Sequence, residues 1–160
     1  MMPHFDAAYN LARWLTQSAS DADDVVQESF LRAFTFFDSF RGGDGRAWLL
    51  SVVRNTCFTW LRKNRAYDVS VELDEHQHAS GDDNPEVLRL RESDAESVRD
   101  ALEKLPAEFR EVIVLREMEG MSYKEIADVA GIAIGTVMSR LARARKRLHD
   151  HLVVQQESRA

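Results

Sequence analysis

Cysteine occurs once in 160 residues, proline three times and glycine seven times. A lone cysteine excludes a disulfide framework and a thiolate-built zinc site, and it suits a reducing compartment. So few glycines and prolines leave too little turn chemistry for a β-sandwich or barrel, and too little for wholesale disorder. Long apolar runs are missing as well. None approaches the ~20 residues that span a bilayer, and no secretory signal opens the sequence. These absences point to a cytoplasmic protein without membrane insertion. Positive charge is also in deficit, with 21 Lys and Arg against 27 Asp and Glu and a net charge of −6. Spread evenly, that balance would argue against a nucleic-acid partner.

The distribution reverses the argument. Residues 67–103 hold 12 acids and 3 bases, whereas 1–66 hold 8 bases against 7 acids and 104–160 hold 10 against 8. Two stretches carry no acid: 54–66, with Arg54, Arg62, Lys63 and Arg65, and 129–149, with Arg140, Arg143, Arg145, Lys146 and Arg147. One such run is ordinarily a solvated helix face. Two, flanking an acidic segment, form the electrostatic footprint of a chain that meets phosphates twice.

Apolar residues recur at helical spacing on both sides of that segment. Phe5, Ala8, Leu11, Ala12 and Leu15 predict a helix over 4–16. Ser20 or Asp21 caps a second, whose stripe is Val25/Val26, Phe30, Ala33/Phe34 and Phe37. Three glycines within 42–45 form a tight loop. A third helix, 46–64, aligns Trp48, Leu49, Val52, Val53, Cys57, Trp60 and Leu61. Residues 67–85 are polar, acidic and aperiodic, a flexible linker. Beyond it Val87, Leu90, Val98, Ala101, Leu102 and Leu105 form one stripe, and Phe109, Val112, Ile113 and Leu115 another that ends at Gly120. The fold class is therefore all-α: two small helical domains, 1–66 and 86–155, joined by an acidic linker.

Ser122-Tyr123-Lys124-Glu125 spells a capping box, in which serine and glutamate each satisfy a free backbone N–H at a helix start. Small Ala127, Gly131 four residues later and Val137 six beyond that have the spacing of a helix-turn-helix. The final helix, 135–152, buries Val137, Leu141, Ala144 and Leu148. In such a motif the N-terminal part of the second helix enters the major groove. Thr136, Met138, Ser139, Arg140, Arg143 and Arg145 are the candidate contacts. Thr136 sits where free N–H groups favour a phosphate, while Ser139 and Arg143 are placed for base edges, arginine pairing bidentately with guanine.

Residues 105–112 (LPAEFREV) through 135–145 (GTVMSRLARAR) resemble the fourth region of the extracytoplasmic-function sigma factors, members of the sigma-70 family. Residues 21–34 (DADDVVQESFLRAF), Phe40-Arg41-Gly42, Trp48-Leu49 and Arg54-Asn55-Thr56 resemble their second region. The resemblance spans both helical halves in order. It implies a three-helix region 2 domain and a helix-turn-helix region 4 domain, in a subunit that binds the RNA polymerase core and directs it to a promoter set. It assigns Asp24, Gln27, Glu28, Leu31 and Arg32 to the polymerase-binding face. It assigns Phe40, Arg41, Gly42, Trp48, Arg54, Asn55, Arg62 and Lys63 to −10 promoter DNA, and the final-helix residues above to the −35 element. An anti-sigma factor is the implied regulator. Met138 and Ala133 depart from the family pattern, which commonly has a basic residue and a proline there.

Two other classes were weighed. A stand-alone helix-turn-helix regulator would need a ligand pocket or a self-complementary interface, and neither is visible in the sequence. An enzyme would need a nucleophile or a metal. Cys57 lies on an apolar stripe, and the pairs His76/His78 and His149/His151 have no ordered carboxylate or thiol beside them. Catalysis, metal and cofactor are therefore not expected.

Overall fold

The computed structural model describes residues 4–37, 43–64 and 95–159. Among these, the regular elements are α1 (Phe5–Thr16), α2 (Ala19–Thr35), α3 (Gly45–Asn64), α4 (Ala95–Glu103), α5 (Ala107–Ile113), a π-helical turn (Val114–Met118), α6 (Tyr123–Ala130) and α7 (Ile134–Arg159). No strand occurs among the described residues. The expected linker 67–85, with Val87 and Leu90, lies outside them.

α1, α2 and α3 pack mutually around Leu11, Leu15, Val26, Leu50, Val53 and Phe58. Each such side chain, once fully buried, stabilises by roughly 1.5–3 kcal/mol. The N-cap of α2 is Ser18, whose Oγ accepts from the Asp21 N–H, two residues before the expected position. Asp44 starts α3: its Oδ1 accepts from the N–H groups of Arg46 (3.0 Å) and Ala47 (3.3 Å). Those bonds, Ala47 first, hold the Asp44 carboxyl below its ordinary value.

Two expected stripes are corrected. On α2, Phe34 is 83% exposed and Phe37, just beyond the helix, is also exposed. On α3 the buried set is Leu49, Leu50, Val53, Thr56, Cys57, Phe58 and Leu61, while Trp48, Val52 and Trp60 are half-buried. The reason is that α3 is covered from more than one side, by α1 and α2 and also by α6. A helix enclosed this way does not advertise a single face.

In the second half α7 is the hub, contacted by α4, α5 and α6. The capping box is complete: Ser122 N donates to Glu125 Oε1 (2.9 Å) and Glu125 N to Ser122 Oγ (3.1 Å). Gly131, at φ 70°, ends α6 in the left-handed conformation that glycine adopts without strain. Between α5 and Gly120 the chain widens into the π turn, with Glu119 N bonded to Val114 O at 3.1 Å.

The halves share one continuous core, which the sequence did not announce. α3 lies on α6, and α1 lies on α5 and the π turn. Arg110 of α5, buried, donates to the carbonyls of Trp14 (2.7 Å) and Leu15 (3.3 Å), capping the C-terminal end of α1. Gln17 follows in a left-handed conformation, and its side-chain amide donates to Glu103 O at 2.7 Å. Asn10 donates to Glu119 Oε2 (3.0 Å) and Arg46 to Glu119 O (3.2 Å).

Candidate nucleic-acid and polymerase interface

α2 presents its polar face outward. Asp24, Gln27, Glu28 and Leu31 fall at i, i+3, i+4 and i+7, and all four are exposed. Glu28 pairs with Arg32 one turn on at 3.4 Å, across largely solvated side chains, so the pair contributes little to stability. Leu31 is 70% exposed and has Phe34 one turn further along the same side. The sequence reading placed Phe34 in the core and so missed it as part of this surface. The signal was available: a leucine and a phenylalanine three apart, next to a charged ladder, on a helix whose core positions were already filled by Val25, Val26 and Ala33.

The second group gathers on α3 and its approach. Phe40, Arg41 and Gly42 lie outside the described residues. Trp48 is half-buried and meets the Phe37 ring edge-on, centroids 6.3 Å apart. Asn55 is exposed, as are Arg62 and Lys63 on the last turn. Arg54 differs from them. Its side chain is 16% exposed, lies 4.2 Å over the Phe58 ring, and clasps Glu111 through Nε (2.6 Å) and Nη2 (3.4 Å). A third donor, Nη1, reaches Asn55 Oδ1 at 3.3 Å.

Glu111 belongs to α5 and is fully buried. Burial raises its carboxyl above the ordinary range, against the opposing pull of Arg54 and, more weakly, of Arg140. Burial likewise pushes up the thiol of neighbouring Cys57, so it is protonated and inert at neutral pH.

On α7 the third group divides. Met138 is exposed, and Thr136, Ser139 and Arg143 are half-buried, with Ser139 Oγ donating to Thr136 O at 3.1 Å. Thr136, Ser139 and Arg143 share one face at i, i+3 and i+7. Arg140 instead faces inward, 8% exposed, with its charge felt by Glu111. Arg145 is tied to Glu117 of the π turn at 3.1 Å. Lys146 is exposed, and Arg147 lies 5.1 Å over the Phe109 ring. Groups of three or more metal-ligating side chains are absent among the described residues, and His76 and His78 lie outside them. No described helix is long and apolar enough to cross a membrane.

A helical trio carrying a polar outward face, packed on a capped helix-turn-helix, is the arrangement of a two-domain transcription factor. Comparison with known proteins makes the class specific. Residues 1–67 match the family profile described as Sigma-70 region 2, and residues 95–148 that of Sigma-70, region 4. The chain is 38% identical over 141 residues to the ECF RNA polymerase sigma-E factor of Salmonella typhimurium, spanning 82% of this chain and 74% of the relative. It is 33% identical over 150 residues to the ECF RNA polymerase sigma factor SigE of Mycolicibacterium smegmatis, covering 93% of this chain but 58% of that longer protein. Among solved structures, the sigma factor RpoE in complex with the anti-sigma factor NepR from Bartonella quintana matches with a TM-score of 0.71 and 32% identity, over 96% of this chain and 94% of the other. CnrH, in complex with the cytosolic domain of CnrY, matches with a TM-score of 0.67 and 30% identity, over 96% and 84%. The chain belongs to the extracytoplasmic-function sigma factors, the RNA polymerase sigma subunits of the sigma-70 family.

Proposed function

We propose that this chain initiates transcription by joining core RNA polymerase through the outward face of α2, reading the −10 element with the 40–45 loop and α3, and reading the −35 element with the α6–α7 helix-turn-helix. The observation that carries this is the coexistence of both surfaces on one chain: an exposed Asp24–Gln27–Glu28–Leu31 ladder on α2 and an exposed Thr136–Ser139–Arg143 face on α7. A stand-alone regulator has a use for the second surface and none for the first.

The division of labour follows the expected boundaries, residues 1–66 for polymerase and −10 DNA, 67–85 as linker and 86–155 for −35 DNA. The chain acts by binding, without chemistry of its own, in the cytoplasm where polymerase and DNA meet. The likeness to RpoE and CnrH, each solved with its anti-sigma partner, supports control by an anti-sigma factor here too. Transcription reconstituted from purified chain, core polymerase and a library of promoter fragments is the test. Promoter-selective initiation dependent on the chain is expected. Tight binding to duplex DNA without any effect on polymerase would overturn the reading.

A further inference from the structure

A fully buried carboxylate is tolerated only when its charge is met, and the arginine that meets Glu111 comes from the other half of the molecule. Glu111 lies on α5, Arg54 on α3, and inward-facing Arg140 on α7 adds its charge. One carboxylate thus faces an arginine from each of the two helices assigned to promoter DNA. We infer that Glu111 is a latch that holds α3 against the second half of the free chain and withholds Arg54 from nucleic acid until the halves part.

The inference rests on the sigma reading for what the parted state does, but not for the packing itself. Three observations support parting rather than permanent closure. The Arg54–Glu111 pair trades desolvation for attraction, so it fixes register more than it adds stability, and both groups regain water when separated. Around it the clasp is hydrophilic: Arg46 reaches Glu119 O and, at 3.8 Å, Glu125, while Asn10 reaches Glu119. Such an edge resembles interfaces that come apart. Finally, Arg54 cannot serve a phosphate while both oxygens of Glu111 occupy its guanidinium.

The test uses the full chain carrying Glu111→Gln, which keeps shape and hydrogen bonding but leaves Arg54 and Arg140 facing each other without a counter-charge. Small-angle X-ray scattering should show a larger radius of gyration than the parent. Fluorescence anisotropy with a promoter fragment, without polymerase, should show binding tighter by about tenfold, as expected when a binding-competent state goes from a tenth of the population to most of it. A variant as compact as the parent with unchanged DNA affinity overturns the latch. So does a variant that expands without gaining affinity. Should circular dichroism show Glu111→Gln unfolded, the double variant Asn10→Ala/Arg46→Ala, which loosens only the rim, takes its place. Expansion with tighter binding is again expected, and no change again refutes the proposal. If the parent fails to programme polymerase in the reconstituted assay, the sigma reading falls, while the scattering result still decides whether Glu111 holds the halves together.

Discussion

Arg54 and Arg143 look alike in the sequence, each a base in an acid-free run, yet the folded chain treats them differently. Arg143 shares a face of α7 with Thr136 and Ser139, whereas Arg54 is clasped by a carboxylate 57 positions away. No local pattern reveals such a partner, because Glu111 sits among apolar neighbours in a stretch that reads as plain core. Arg143→Ala is expected to weaken initiation at promoters that depend on their −35 element about tenfold or more, the scale of one lost bidentate base contact. Binding to core polymerase, measured by gel filtration of the complex, should be unchanged. Asp44 offers a prediction in pH. Its carboxyl is held below the ordinary value of 3.8 by helix N–H groups, so its stabilising contribution is present above that value and lost as pH falls through its lowered one. Asp44→Ala should cost about 1 kcal/mol at neutral pH in chemical denaturation. That difference from the parent should shrink as the pH is taken below 3.8.

Among the elements, those with one buried face were legible and the one with several was not. α1, α6 and α7 carry their apolar residues at clear helical spacing, and Leu11, Ile126 and Leu141 are buried accordingly. Ser122 and Glu125 announced α6 through a motif complete within four residues. Ser122→Ala should cost about 1 kcal/mol by removing that cap, read as a lowered denaturation midpoint. α3 defeated the stripe argument because the packing of α6 on it is a long-range fact. α2 yielded only half: its core residues were found, but Phe34 was assigned inward when the packing had no room for it. Leu31→Asp and Phe34→Asp, both at exposed positions, are expected to leave thermal unfolding within about 0.5 kcal/mol of the parent. Each should reduce affinity for core polymerase at least tenfold in a competition assay. Intact polymerase binding by both would remove α2 from the interface.

At the scale of the whole molecule, net charge misled and its distribution did not. The basic stretches fall on α3 and α7, and the structure brings those helices toward one another rather than displaying them apart. The architecture of two helical halves was readable from periodicity, and their joining was not, since it depends on Arg110 finding the end of α1 and Asn10 finding Glu119. DNA binding by the holoenzyme should fall steeply with salt, log affinity declining linearly with log salt concentration as counterions are recaptured. Replacing Arg62 and Lys63 with Ala should flatten that slope by about two if both meet phosphates. An unchanged slope in a titration from low to high salt would place them away from the DNA backbone.

The π turn at Val114–Met118 deserves a reading as a piece of history. A helix that takes five residues where four would do has absorbed an extra one, and everything after it is rotated by about 100° relative to a regular continuation. That rotation sends Glu117 toward Arg145 on α7 and Glu119 toward Asn10 and Arg46 on α1 and α3. A single inserted residue thus shares out neighbouring acids between the two halves. Lineages that lost it would retain both domains yet lack part of the means to join them.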